Sequence, residues 1–90
     1  MPEHVSLDEN NRVWMLVAKI LAEQMEKPTA DVQSDTRLVA DWGADSLDVL
    51  EVIINLEDSF RLTIPDEDVD SLQLGSAREF YDYICRRRAS

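Results

Sequence analysis

The segment from residue 41 to residue 60 constrains the fold more than any other part of the chain. It reads DWGADSLDVLEVIINLEDSF. From Leu47 onward, apolar residues recur at steps of four and three, which brings their side chains to one face of an α-helix; they are Val49, Ile53, Leu56 and Phe60. Polar residues recur at similar steps on a second face, formed by Asp48, Glu51, Asn55 and Asp58. The segment therefore predicts an amphipathic helix whose apolar face packs against other helices.

Short polar residues mark the start of this helix. Asp45 or Ser46 can serve as its N-cap, because a short side-chain oxygen there accepts a hydrogen bond from a backbone N–H that has no partner within the helix. Gly43 allows the chain to turn tightly just before the cap. Ser46 is therefore expected at a junction of loop and helix, where a modifying enzyme could reach its hydroxyl.

The acidic charge of the chain is concentrated in the same region. The formal net charge is −10, and residues 41–70 hold ten acidic residues against a single basic one, Arg61. Nucleic acids and anionic membranes attract Lys and Arg, so this charge argues against either as a partner. A solubilising surface is one explanation of the acidic region. Because the region surrounds Ser46, we favour a surface that docks partners carrying basic patches.

Helical spacing recurs on both sides of the central segment. It predicts a first helix from about Leu7 to Met25 and a last helix that begins near Ser76. The expected core stripes are Val13, Leu16, Val17, Ile20 and Leu21 in the first helix, and Ala77, Phe80, Tyr81 and Ile84 in the last. Ninety residues suffice for one small domain, so the whole chain is expected to fold as a single unit.

The connections between these helices complete the predicted fold. Residues 26–45 lack a sustained period but contain apolar anchors, which predicts a long ordered loop with room for one short helical turn. Pro65 and the acids after it predict a short helix at about residues 66–71. No two segments read as pairing strands. The sequence thus predicts an all-α bundle of three long helices plus one short helix, with residues 1–5 and 87–90 frayed.

Ser46 lacks the neighbours that a catalytic serine needs. His4 is the only histidine of the chain and lies in the segment expected to be frayed, while GADSL lacks the second glycine of a G-x-S-x-G elbow. A serine without a positioned base is a poor nucleophile. The acids from Asp66 onward miss the glycine and the glutamate of an EF-hand loop, and Cys85 is a lone cysteine. We therefore expect neither catalysis nor a specific metal site.

The chain carries no sequence signal for a membrane. Its apolar runs are too short to span a bilayer, and none resembles a signal peptide. A lone cysteine is compatible with a reducing compartment. We expect a cytoplasmic protein that does not insert into membranes.

The motifs of the second half of the chain resemble those of the acyl carrier protein family. They are GADSLDVLEVIINLEDSF at residues 43–60, IPDEDVD at residues 64–70 and FYDYI at residues 80–84, and the looser resemblance covers about residues 7–85. The resemblance implies a carrier rather than an enzyme. It also implies that Ser46, flanked by Asp45 and Leu47, receives a 4′-phosphopantetheine arm from coenzyme A, whose thiol carries acyl groups as thioesters.

The same resemblance implies how such a carrier meets its partners and its cargo. A phosphopantetheinyl transferase and enzymes that transfer or modify acyl groups would dock on the helix after Ser46, at Asp48, Glu51, Ile54, Glu57 and Asp58. The bundle interior would shelter the acyl chain, lined by Val49, Leu50, Ile53, Leu56, Phe60, Val69 and Leu72. The carrier itself is expected to be a monomer.

Three alternatives stay open at the level of sequence. Ser46 can be a plain helix cap in an acidic adaptor protein that is never modified. The same fold also serves aminoacyl and peptidyl carriers, although their second helix tends to be less acidic. Trp42 departs from the aliphatic residue usual at its position in the family, and it can sit outward near the arm, although we expect it to pack the loop onto the core.

Overall fold

The computed structural model describes the backbone of residues 2–89 and the side chains of residues 10–88. Five α-helices follow one another in this part of the chain: α1 (Pro2–Gln24), α2 (Leu38–Trp42), α3 (Ser46–Phe60), α4 (Asp66–Leu72) and α5 (Ala77–Ala89). A 3-10 turn at Thr29–Asp31 separates α1 from α2. The described backbone contains no strand, only an isolated bridge between Arg37 and Ser76. The predicted all-α bundle is confirmed.

The helix bounds differ from the prediction at two places. α1 begins at Pro2 instead of near Leu7, and proline is well suited to a first turn because the N–H it lacks would have had no partner there. The connection at residues 26–45 holds both the 3-10 turn and α2 instead of one short helical turn. Fraying at residues 1–5 and 87–90 stays a prediction.

The core joins the apolar stripes of α1, α3 and α5. The predicted stripe residues of these helices are buried or half-buried, with Leu16, Phe60 and Tyr81 in the half-buried group. Further buried residues, which the predicted stripes did not include, widen the core: Ala18, Ala22, Val52, Ile64 and Tyr83. On α1, Ala18 and Ala22 are four residues apart, so they extend the buried face by one more ridge.

The placement of Leu50 in the interior was wrong. Its side chain is 49% exposed, because each residue turns the helix by about 100° and Leu50 follows directly after the buried Val49. The other residues expected around an acyl chain do face inward. Val49, Ile53, Leu56 and Leu72 are buried, while Phe60 and Val69 lie half-buried at the edge of the core.

The long connection is fastened to the start of α5. The carbonyl of Thr36 accepts a hydrogen bond from the Ala77 N–H at 2.7 Å, and the carbonyl of Ser34 accepts one from the Arg78 N–H at 2.9 Å. These are N–H groups of the first turn, which have no partner within the helix. Trp42 is half-buried against the core, as expected, with the Lys27 ammonium 5.9 Å from its ring centre.

A buried tyrosine ties the short helix α4 to α5. Tyr83 is 8% exposed, and its hydroxyl donates to Asp68 Oδ2 at 2.6 Å while accepting from Arg87 Nη1 at 2.7 Å. Burial raises the pKa of Tyr83, and the hydrogen bond to Asp68 raises it further, so the phenol keeps its proton at neutral pH. The arginines Arg86, Arg87 and Arg88 occupy the last turn of α5, where cations complement the helix dipole.

Replacing Tyr83 by Phe should destabilise the fold. The ring would still pack, but Asp68 and Arg87 would lose the hydroxyl that bonds to both of them. The free energy of unfolding should fall by about 1 kcal/mol, a small loss because water can still reach both side chains. Urea unfolding followed by circular dichroism measures this difference. Tyr81→Phe is the matched control, since it also removes a tyrosine hydroxyl from α5 and keeps the ring, which lies nearly at right angles to Trp14 with ring centres 5.7 Å apart. An equal loss in both variants would contradict a special role for the Tyr83 hydroxyl.

Candidate functional site at the start of α3

A tight turn connects α2 to α3. Gly43 has a φ of 73°, a left-handed conformation that glycine adopts without steric cost. The N–H groups of Gly43 and Ala44 donate back to the carbonyls of Val39 and Leu38 at 3.0 and 2.9 Å. Ala44 is buried, which anchors the turn to the core. The two residues that follow, Asp45 and Ser46, are exposed.

Asp45, and not Ser46, caps α3. Its Oδ1 accepts a hydrogen bond from the Asp48 N–H at 2.9 Å, and Asp48 Oδ2 accepts one from the Asp45 N–H at 3.1 Å. This reciprocal pair is a capping box. Ser46 is the first helical residue, and its hydroxyl makes no hydrogen bond with any side chain or backbone group in the described part of the chain. The reading of Ser46 as a plain helix cap is therefore wrong.

The position of Ser46 also has an electrostatic consequence. α3 is 15 residues long, and the partial positive charge of a helix N-terminus is strongest at its first turn. A phosphate ester on the Ser46 oxygen would lie beside the free N–H groups of that turn. An exposed hydroxyl at a helix N-terminus therefore suits the attachment of an anionic group.

Asp48 has a second partner on another helix. Gln24, the last residue of α1, donates from Nε2 to Asp48 Oδ1 at 3.2 Å and to Glu51 Oε1 at 3.4 Å. Both oxygens of Asp48 are therefore engaged, and its side chain is half-buried. The sequence contained no signal for this contact, because it depends on how α1 and α3 are aligned in the bundle.

Glu57 is held at the other end of α3. Its Oε2 accepts a hydrogen bond from the Ile64 N–H at 2.8 Å, which pins the loop that follows the helix. Arg61 ends the helix in a left-handed conformation with a φ of 56°. The Glu57 carboxylate thus satisfies a loop N–H next to the buried Ile64 side chain.

The outward side of α3 combines apolar and acidic groups. Leu47, Leu50 and Ile54 are 62%, 49% and 53% exposed, and their spacing of three and four residues aligns them along the helix. We call these three residues the apolar ridge. Glu51 and Asp58 are exposed beside it, and Asp58 makes no ion pair or hydrogen bond in the described part of the chain. A row of three exposed aliphatic side chains that begins next to Ser46 is typical of a surface that contacts another protein.

Two kinds of feature are absent from the described residues. The described residues contain no group of three or more His, Cys, Asp or Glu side chains placed to hold a metal ion. Among the same residues, no helix has both the length and the apolar character needed to cross a membrane.

Salt should stabilise the fold by screening the acidic region. The radius of gyration is 12.7 Å, so at about 0.01 M salt, where the Debye length is about 30 Å, like charges repel across the whole domain. At physiological ionic strength the Debye length falls to about 8 Å and this repulsion weakens. We expect the melting temperature to rise between these two conditions, and also with millimolar Mg²⁺. A flat or falling melting temperature in a differential scanning calorimeter would show that the acids are already compensated.

Comparison with known proteins identifies relatives over most of the chain. A family model described as the phosphopantetheine attachment site matches residues 16–84. The acyl carrier protein of Syntrophobacter fumaroxidans is 34% identical over 74 residues, which cover 82% of this chain and 89% of the relative. The family match extends from α1 to α5, so it includes every helix that positions Ser46.

Proposed function

The chain belongs to the acyl carrier protein family, and we propose that Ser46 is the residue that bears its 4′-phosphopantetheine arm. Members of this family are carriers and not enzymes. The observation that carries the proposal is the capping box. Asp45 caps α3, so the fold does not need the Ser46 hydroxyl as a cap. When bound, the arm supplies a thiol that holds an acyl group as a thioester.

The residues around Ser46 fit a covalently attached phosphate. The hydroxyl is exposed, so a modifying enzyme can reach it, and the first turn of α3 offers free N–H groups to the phosphate oxygens. The Asp45 carboxylate stays in the cap, because it accepts the hydrogen bond from the Asp48 N–H and so does not turn toward the new anion. Leu47 is exposed beside the attachment point, where a partner or the arm can contact it.

Modification should depend on Ser46 alone. Incubating the chain with coenzyme A and a broad-specificity phosphopantetheinyl transferase should add the mass of one arm to the wild type and none to Ser46→Ala. Intact mass spectrometry reads out both results. Ser59→Ala is the matched control, because Ser59 is also an exposed serine on α3 and its loss should leave modification unchanged. A wild type that stays unmodified, or a modified Ser46→Ala, would overturn the assignment.

The acidic character of α3 favours a fatty-acyl or polyketide cargo. Residues 41–60 carry six acids and no Lys or Arg, and peptidyl carriers tend to be less acidic in this helix. An aminoacyl or peptidyl carrier of a nonribosomal pathway is the second candidate within the same fold. The carrier would work in the cytoplasm as a monomer, in line with its lone cysteine. Acyl loading of the modified chain by purified synthases of each type separates the candidates.

Partners would dock on the outward side of α3. The apolar ridge would enter a recess in the partner while acids beside it meet a basic rim, and the arm would reach from Ser46 into the active site. Each exposed ion pair contributes only about 0.2–1 kcal/mol. Binding should therefore be weak, fast and sensitive to salt, as suits a carrier that visits several enzymes.

Shortening the apolar ridge should weaken docking without unfolding the chain. Ile54→Ser removes an exposed side chain, so stability should change by no more than about 0.5 kcal/mol. The KM of the transferase for the carrier should rise about five-fold, because docking of the variant no longer buries the apolar isoleucine side chain. Met15→Ser on α1 is the control, since Met15 is 59% exposed but lies far from Ser46 in the chain. Equal effects of the two substitutions would argue against a docking role for the ridge.

We further propose that the bundle interior shelters part of the acyl chain. Val49, Ile53 and Leu56 of α3 and Leu72 of α4 are buried in the core. An acyl chain could enter only if helices part. Of the two helices that supply these residues, α4 is better able to move than α3, because it has seven residues and Leu72 is its one buried side chain. The hydrogen bond from Tyr83 to Asp68 would then oppose this opening.

A further inference from the structure

A groove on the outward side of α1 exposes apolar side chains to solvent. It is lined by α1 and by Thr29 of the 3-10 turn, and its volume is about 470 Å³. Its apolar side chains are Met15, which is 59% exposed, and the half-buried Leu16. The other residues of its lining are Asn11, Arg12 and Lys19. We call this feature the α1 groove. A methionine there suits binding, because its unbranched side chain adapts to the shape of a partner.

Two basic side chains flank the apolar part of the α1 groove. Arg12 and Lys19 are seven residues apart, which is about 10 Å along one side of the helix. Met15 lies between them, three residues after Arg12 and four before Lys19. Both basic residues are exposed, and neither forms an ion pair or hydrogen bond with a side chain described in residues 10–88. The α1 groove therefore offers two cations in a chain whose net charge is −10.

The surface next to the α1 groove has the composition of a protein interface. Asn11 also lines a second groove, of about 350 Å³, together with Trp14 and Tyr81. These two rings are half-buried and lie nearly at right angles, with centres 5.7 Å apart. Trp, Tyr, Met and Arg are the residue types enriched in protein interfaces, and the two adjoining grooves hold all four. This composition favours a protein partner.

We propose that the α1 groove binds an acidic amphipathic helix of a partner protein. The charge pattern sets the chemistry of that helix, which has two carboxylates about 10 Å apart and an apolar side chain between them to contact Met15. An anionic membrane fits the pattern less well, because an extended negative surface is repelled by the net charge of −10. A single helix presents its few carboxylates to Arg12 and Lys19 alone. The inference goes beyond the proposed function, since it concerns a second surface.

The α1 groove faces away from the attachment site. Gln24 marks the side of α1 that contacts α3, because its amide donates to Asp48, two residues after Ser46. Nine residues separate Met15 from Gln24, which is about 14 Å along α1 and about two and a half turns, so the two side chains point to opposite sides of the helix. A helix bound in the α1 groove therefore leaves Ser46 and the apolar ridge accessible. Such a partner would hold the carrier in place while the arm reacts elsewhere.

A peptide titration tests the α1 groove. The peptide is synthetic and helical, about 18 residues long so that the helix forms in isolation, with leucines on one side and glutamates seven residues apart beside them. It is added to the isotope-labelled full chain at about 0.15 M salt, where charge effects are screened beyond about 8 Å, and amide NMR signals are followed. The amides of residues 11–19 and of Thr29 should shift, whereas those of residues 46–60 should not. The same peptide with glutamine in place of each glutamate should bind several-fold more weakly.

Substitutions in the α1 groove should weaken peptide binding without unfolding the chain. Lys19→Gln should raise the Kd about two- to five-fold, the size of one exposed ion pair, and Met15→Ser about five-fold. Arg61→Gln and Leu74→Ser are matched controls, because they remove an exposed cation and a 63% exposed aliphatic side chain from other parts of the surface. Both controls should keep the Kd of the wild type. All four variants should keep its melting temperature, since the side chains they remove are exposed.

The inference is overturned if the amides of α1 do not shift at millimolar peptide, or if the controls weaken binding as much as Lys19→Gln and Met15→Ser do. Binding of the chain to phosphatidylglycerol vesicles, or its self-association in the ultracentrifuge, would also overturn it if Lys19→Gln abolished either effect, because the occupant would then be a membrane or a second copy.

The placement of the α1 groove away from Ser46 has its own test. Saturating peptide should leave the rate at which the transferase modifies Ser46 unchanged, and a slower rate would contradict a tether that leaves the site open. A chain that the transferase never modifies, with or without peptide, would overturn the proposed function and leave the peptide-binding result standing.

Discussion

The reciprocal hydrogen bonds between Asp45 and Asp48 fix the point at which α3 begins, and the rest of the site follows from that point. With Asp45 as the cap, Ser46 becomes the first helical residue, and its hydroxyl faces solvent beside the N–H groups of the first turn. The same choice of start sets the rotation of the helix. Val49, Val52 and Leu56 then point into the bundle, while Leu47 and Ile54 point out. One capping pair therefore determines both the position of Ser46 and the surface next to it.

The acids of α3 are held mainly by neutral donors. Backbone N–H groups bind Asp45, Asp48 and Glu57, and a glutamine amide bridges Asp48 and Glu51. The ion pairs of Arg78 with Asp82 and of Arg87 with Asp68 lie on α4 and α5, and neither includes an acid of α3. Neutral donors fix a carboxylate without cancelling its charge. The acids around Ser46 therefore keep their negative charge, which can attract basic groups over the range set by ionic strength.

Much of this arrangement could be predicted from the sequence, because helical periodicity and charge are local properties. The spacing of Val49, Ile53 and Leu56 was enough to place the buried side of α3 and to expect a bundle. The choice between Asp45 and Ser46 as cap could not be made, since both are short polar residues and only the backbone geometry separates them. Leu50 was misplaced because hydrophobicity alone cannot tell an interior leucine from one that faces solvent. The contact of Gln24 depends on the packing of α1 against α3, which no local pattern encodes.

The acids of α3 differ in how much the fold depends on them, and this difference matters in a small domain. A chain of this size has little stability to spare, so the loss of a carboxylate that holds a backbone group is felt by the whole fold. Asp48 and Glu57 are such carboxylates, because they hold the cap of α3 and the loop after it. Glu51 and Asp58 fix no backbone group. The charge of the α3 surface can therefore change at Glu51 or Asp58 with little effect on stability, whereas the same change at Asp48 or Glu57 removes a hydrogen bond of the fold.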